Sequence, residues 1–222
     1  MSAIRPAATV VLLRERAGEL ETLLLRRSAA VQFAGGLWVF PGGRIDEADF
    51  AGDPDDIMAA AKRAAIRETR EETGLIIDDY ELQFFAHWTT PEHEPKRYAT
   101  WFFAAALGSY EGDVLVDGGE IETHVWISPA QALARHRHGE LDMLPPTFIA
   151  LSELATCHSA QDVAAMYRDR PVVEILPKFI VTEQGPVALY PPDSGYETGN
   201  PDLPGRRHRT RRKKDGWYYE CD

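Results

Sequence analysis

A chain of 222 residues with 44% hydrophobic side chains has enough apolar material for one sizeable core with elaborations, or at most two. Its 35 acidic against 24 basic residues give a net charge of -11, which repels polyanions on average and makes nucleic acid an unexpected partner. No apolar run reaches eighteen residues, which excludes a membrane-spanning helix; the two cysteines, Cys157 and Cys221, exclude a disulfide framework and a cysteine-built zinc site.

The opening stretch turns charged too soon for a secretory signal. The final Glu-Cys-Asp is not the peroxisomal tripeptide. A reducing cytoplasm is therefore the expected compartment. Residues 8–13 and 21–28 read as two strands joined by a polar turn. Residues 37–40 form a third apolar run, ended by Pro41-Gly42-Gly43, where the backbone is free to turn sharply and approach a ligand. An acidic loop follows over 45–56. A helix is then expected from Asp53 as N-cap, with Pro54 in its first turn and Gly74 as its C-terminal stop.

Residues 82–90 and 97–107 are aromatic and alternating and read as strands, as does 124–127. Helices are expected over 128–139, 145–157 and 159–169, and a hairpin around Glu183-Gln184-Gly185. The expected architecture is an α/β (α+β) sandwich with a mixed sheet. The main domain covers 1–190. From Pro191 the composition suggests a loop-like extension, 191–222, that carries the basic run Arg206–Lys214.

Glu68, Glu71 and Glu72 stand at i, i+3 and i+4, on one helix face. Like charges so placed cost roughly 0.2–0.5 kcal/mol per pair. They also lie in the last turn before Gly74, at the negative end of the helix dipole, where each loses roughly 0.3–1 kcal/mol. Arg67, four residues before Glu71, offsets part of this. A solvated charged face is the plain reading of such a run. The crowding at the wrong helix end, and Gly42-Gly43 upstream with a carbonyl to spare, favour a site of hard oxygen ligands suited to Mg²⁺ or Mn²⁺. Such a cation polarises a phosphoryl oxygen and activates water, which is the chemistry of phosphate ester or anhydride hydrolysis.

These residues resemble the signature box of the Nudix superfamily. Arg67, Glu68, Glu71, Glu72, Gly74 and Leu75 match its second half, and Gly43 matches its opening glycine. The resemblance implies a Nudix fold and hydrolysis of a nucleoside diphosphate linked to another moiety. It also implies Mg²⁺ or Mn²⁺ held by Glu68, Glu71, Glu72 and the Gly43 carbonyl. Two departures stand out. Thr69 replaces an aliphatic residue. Asp49 stands where the family has glutamate, and the stretch from there to Arg67 is ten residues longer than the family's. In the family that acidic residue pairs structurally with the arginine of the box, so Asp49 and Arg67 are the candidate pair, with their contact left open by the stretched loop.

Upstream, Leu23, Leu24, Arg27, Ser28, Gly36, Phe40, Pro41, Gly42 and Gly43 are similar in register to the coenzyme A diphosphatase branch. Leu25 and Gln32 depart from that pattern. The stretched loop is similar to a mammalian peroxisomal group of those enzymes. CoA or acyl-CoA is thus the leading substrate. ADP-ribose, NADH and dinucleoside polyphosphates are the alternatives for the same site. A non-catalytic nucleotide- or RNA-binding module is the alternative of another class. Many relatives are dimers, so a homodimer stays open, with no seam legible.

Arg27 and Arg44 flank the glycine turn and are candidates to hold phosphate oxygens by bidentate contacts. Glu120 and Glu122 are candidate general bases outside the box, though each also reads as a solvated edge-strand charge. Arg97 reads first as an ordinary surface arginine. Phe85 and Trp88 offer faces for a nucleobase, although aromatics in alternating strands more often fill a core. His136 and His138 read as a solvated helix end. The basic run reads as a tail lying on an acidic body, with RNA, an acidic membrane or the extra phosphate of CoA as the sharper options.

Overall fold

The computed structural model describes residues 3–108, 112–116 and 118–222. The first strands are β1 (Ile4–Arg16), β2 (Glu19–Arg27), β3 (Trp38–Val39) and β4 (Gly42–Arg44). The long helix α1 (Ile57–Thr73) follows, then β5 (Gln83–Thr89), β6 (Arg97–Ala106) and β7 (Ile121–Ile127). Helices α2 (Pro129–Arg137), α3 (Pro145–Leu154) and α4 (Ala160–Arg168) come next. The chain ends in β8 (Val173–Ile175), β9 (Lys178–Thr182), β10 (Gly185–Leu189), β11 (His208–Lys213) and β12 (Gly216–Cys221).

The main sheet is mixed. Its order is β3-β2-β1-β6-β5-β8, with β4 added to β1 and β7 to β2. The β1–β6 and β5–β8 pairs are parallel and the others antiparallel. One face packs on α1 through Ala8, Val10, Leu12, Leu23, Leu25 and Phe103. The other packs on α2, α3 and α4 through Val11, Leu13, Leu24, Phe85, Trp88 and Phe102. The alternation read in these strands is the cause, since successive side chains enter opposite layers. The result is the expected α/β/α sandwich. Among the described residues no helix is long and apolar enough to cross a membrane.

The helix α1 begins later than its sequence suggests. The Asp53 side chain accepts from the Asp55 amide, and the Asp53 carbonyl accepts from Asp56, so Pro54 lies in a turn. The cap falls to Asp56, whose carboxylate accepts from Ala59 N. Gly74 closes the helix at φ 72°, a left-handed conformation that favours glycine. Ala60, Ala61, Ala64 and Ala65 are fully buried along its inner face. Four small residues let the helix axis approach the sheet closely. That approach carries the next turns of the same face down onto β4.

Three sequence expectations fail, each for a local reason. The segment from Pro191 is no loop-like extension. It folds back as β11 and β12 and completes a second antiparallel sheet, β12-β11-β10-β9. β11 is the middle of the basic run, and the charges it carries have partners. Arg209 is wholly buried and forks onto Asp193 at 2.6 and 2.7 Å. Arg211 meets Glu220, Arg212 meets Asp142, and Lys213 lies over the Tyr218 ring. His136 is buried as well: its Nδ1 lies 2.6 Å from Leu141 O, and its Nε2 accepts from Trp217 N at 2.9 Å. Arg97 is 6% exposed because its Nε donates to Thr90 O across the β5–β6 turn. Phe85 and Trp88, by contrast, are the core residues that their alternating strand suggests, stacked on Tyr167 and set edge-on to Tyr190. They are closed to a nucleobase.

Candidate active site

The glycine turn is pinned from β1. Thr9 Oγ1 and Val10 N both donate to Pro41 O, at 2.7 and 2.9 Å. β4 then pairs Gly43 with Ala8 and Gly42 with Thr9. A side chain at Gly42 would run into backbone, and one at Gly43 would have to push the Glu68 carboxyl aside. A Cβ on Gly42 would lie 2.3 Å from Ala8 O, and one on Gly43 would lie 2.5 Å from the Glu68 carboxyl carbon. Gly42 N donates to Glu72 Oε2 at 2.9 Å. The helix thus sets Glu68 and Glu72 against consecutive glycine backbones.

Both carboxyls are desolvated. Burial pushes Glu72 up to about 8, against the opposing Gly42 amide, with the Glu68 charge adding to the rise. Burial also raises Glu68, opposed by the hydrogen bond and charge of Arg67. Glu71 is different. It is largely exposed and bonds Arg67 at 3.1 Å.

Asp49 does reach Arg67 across the stretched loop. A short 3-10 turn, Glu47–Phe50, brings Asp49 inward until it is 6% exposed. Arg67 forks onto its two oxygens at 3.2 and 2.9 Å, and donates further to Glu68, Glu71 and Arg44 O. Burial acts to raise Asp49, but the Arg67 hydrogen bond and the Asp46 amide outweigh it and hold the carboxyl below its ordinary range. Arg63, one helical turn earlier, donates to the carbonyls of Asp49 and Phe50. The extra residues are therefore taken up in turns that this arginine braces. Its signal in the sequence was its place four residues before Arg67, on the same helix face.

Arg27 stands at the end of β2. It lies 3.9 Å from Glu72 Oε1 and 3.0 Å from Glu120 Oε2. The Ser28 amide holds Glu120 O at 2.7 Å, so β2 and β7 fix this pair together. Arg27 Nε is buried without a partner among the described residues. Glu122 is exposed on β7. Arg44 is not gathered here: strand alternation turns its side chain away from the face that Gly43 presents to Glu68. Thr69, at its departure from the family pattern, is fully buried with an unpartnered hydroxyl.

Among the described residues no three His, Cys, Asp or Glu side chains converge closely enough to form a finished metal site. The chemistry of the donors nevertheless fits a hard cation. Two desolvated carboxyls, Glu68 and Glu72, flank the Gly42-Gly43 backbone. Positive charge placed there relieves their burial.

The fold, with a glutamate-bearing helix packed on a glycine turn, is that of a Nudix-type domain. A NUDIX domain model matches residues 3–145, and the chain belongs to that family. The acyl-coenzyme A diphosphatase NUDT19 of Gallus gallus is 27% identical over 198 residues, covering 80% of this chain. The chain spans about half, 52%, of that relative's length. The crystal structure of a NUDIX hydrolase from Alicyclobacillus acidocaldarius is 26% identical, with a TM-score of 0.67 over 74% of this chain and 97% of its own. The NUDIX domain of Shewanella oneidensis NrtR, solved with ADP ribose, shares the fold at 17% identity and a TM-score of 0.52, over 70% of this chain and 88% of its own.

Proposed function

We propose that the protein hydrolyses the diphosphate of CoA or acyl-CoA, giving adenosine 3′,5′-bisphosphate and (acyl-)4′-phosphopantetheine, with Mg²⁺ or Mn²⁺ as cofactor. The observation that carries the reading is the desolvated Glu72 carboxyl, held by Gly42 N in the Gly42-Gly43 turn beside Arg27. Glu68, Glu71, Glu72 and the Gly43 carbonyl are the residues that would hold the cation. When bound, it would polarise a phosphoryl oxygen and lower the pKa of the attacking water. Glu71 would join that group by leaving Arg67, which would keep Asp49 and Glu68 as partners.

Arg27 would grip a diphosphate oxygen through its planar fork. Glu120 orients that arginine, a role its ion pair supports better than the role of general base. Glu122, or Glu68 itself, is then left to take the proton of the attacking water. Asp49 and Arg67 hold the helix against the loop and touch no substrate. The choice of CoA rests on the register of Leu23–Gly43 with the CoA-cleaving branch and on the name of the Gallus gallus relative.

The test is incubation with CoA, ADP-ribose and NADH in parallel, each with Mg²⁺ and with Mn²⁺, followed by chromatography. Adenosine 3′,5′-bisphosphate and 4′-phosphopantetheine from the CoA tube support the proposal. Cleavage of ADP-ribose or NADH alone discards CoA and keeps the diphosphatase. Intact substrate in every tube moves the reading to a non-catalytic nucleotide-binding module.

A further inference from the structure

The peptide between Pro41 and Gly42 is held from two sides. From α1, Glu72 Oε2 accepts from Gly42 N at 2.9 Å. From β1, the Pro41 carbonyl accepts from Thr9 Oγ1 at 2.7 Å and from Val10 N at 2.9 Å. This peptide is trans, so its C=O and N–H point opposite ways within one rigid plane. A grip on the carbonyl therefore sets where the amide aims. Side chains do not set it. Gly42 lies at φ 153°, where no Cβ limits the rotation, and the proline before it has no N–H to anchor the turn. Hydrogen bonds decide which end of this peptide faces Glu72.

Thr9 works from the far side of the strand. Val11 and Leu13, which share its parity, pack toward α2, α3 and α4, whereas Ala8, Val10 and Leu12 pack on α1. Thr9 is 9% exposed, and a valine of nearly the same shape would fill its place without the hydroxyl. The one other acceptor near that hydroxyl among the described residues, Phe40 O, lies at 3.5 Å. The grip also selects an oxygen. Gly42 N takes Glu72 Oε2, and Oε1 is left toward Arg27 at 3.9 Å. A carboxylate held through one oxygen presents the other in a fixed direction, as a metal ligand must.

We propose that Thr9 is a positioning residue of the site: its hydroxyl turns the Pro41–Gly42 peptide so that the amide holds Glu72 Oε2 and leaves Oε1 for the cation. The part that concerns the cation rests on the hydrolase reading above; the orientation of the peptide does not.

The test compares Thr9→Val and Thr9→Ser with Thr22→Val. Thr22 is wholly buried, and its hydroxyl donates to Leu12 O at 2.9 Å, a bond of the same kind away from the turn. Pro-Gly occurs twice in the chain, at 41–42 and 204–205. Labelling the proline carbonyl carbon and the glycine nitrogen thus leaves two amide signals, Gly42 and Gly205, whose hydrogen exchange is followed by NMR in EDTA. Thr9→Val should speed exchange at Gly42 about fivefold, the order of one hydrogen bond, and leave Gly205 unchanged. Thr9→Ser should match wild type. Thr22→Val should lose as much Tm as Thr9→Val and leave Gly42 unchanged. Mn²⁺, counted by electron paramagnetic resonance, should bind Thr9→Val about tenfold more weakly. In turnover at limiting Mn²⁺ the same variant should lose about tenfold in kcat with KM for a diphosphate nearly unchanged, and excess Mn²⁺ should restore most of the rate. Equal Gly42 exchange in wild type and Thr9→Val overturns the proposal. So does Thr22→Val that speeds Gly42 as much, because general loosening then explains the effect. Faster exchange with Mn²⁺ binding unchanged overturns it too, since the peptide then turns without moving Glu72. Wild type that binds no Mn²⁺ while Gly42 exchange follows Thr9 keeps the orientation of the peptide and loses the cation reading.

Discussion

Glu72→Gln should make the metal-free protein more stable while abolishing its activity. Burial raises this carboxyl from 4.5 to about 8, so ionising it inside the fold is unfavourable. Its contribution to stability is full below pH 4.5 and is lost as pH rises through about 8. At pH 7 the loss is about 3 kcal/mol, from 1.36 kcal/mol per pH unit between 4.5 and 7. Glutamine keeps the bond from Gly42 N but gives up attraction to Arg27 at 3.9 Å, so a net gain of about 2 kcal/mol is expected. For a chain of this size that is about 4–8 °C in Tm. The assay is thermal unfolding in EDTA from pH 5 to 8.5. Wild type should lose Tm across that range, and Glu72→Gln should lose less, with the remaining slope due to Glu68. Excess Mn²⁺ should raise wild type and leave the variant unmoved. A variant that melts below wild type in EDTA at pH 8 refutes the reasoning, because Glu72 is then a stabilising partner rather than a group awaiting positive charge.

Asp49→Ala should strand Arg67 against Glu68 and Glu71 and loosen the loop, lowering stability by about 2 kcal/mol, with KM little changed; denaturant melts with kinetics check both. Gly43→Ala should fold but displace the Glu68 carboxyl, since the new methyl lies 2.5 Å from it; kcat should fall at least about a hundredfold, and a fully active Gly43→Ala contradicts the placement of Glu68. Asp193→Ala leaves a wholly buried guanidinium unpaired and should cost about 3–5 kcal/mol by urea unfolding, whereas truncating Lys213 should cost little. Glu120→Gln should raise KM for a diphosphate more than it lowers kcat if Glu120 orients Arg27; a collapse in kcat with KM intact assigns it as the base instead.

Much of the site was legible because local spacing sets it. Glu68 and Glu72 lie at i, i+4, and the glycine pair ends a strand, so their meeting follows from one helix packing on one sheet. Asp49 and Arg67 were legible as residue types, but their contact was not. It depends on how the extra residues coil, and the spacing of Arg63 from Arg67 marks its helix face but not the two backbone carbonyls that it braces. The terminal segment misled for a similar reason. Arg209 is buried only because Asp193, sixteen residues earlier, folds beneath it, and charge-rich composition alone reads as solvated. The aromatic strands and the core places of Phe85 and Trp88 were legible, whereas the face taken by His87 was not, because one irregularity after Phe84 interrupts the alternation. Helix starts shifted where Asp53 found a nearer amide than the helix end.

The most direct test of the central claim is a count of bound Mn²⁺ by electron paramagnetic resonance on wild type, Glu68→Gln, Glu72→Gln and Glu122→Gln, without substrate. Wild type and Glu122→Gln should bind Mn²⁺ alike, and the two helix variants should lose that binding. Equal binding by all four would contradict a cation held by Glu68 and Glu72 over the Gly42-Gly43 turn.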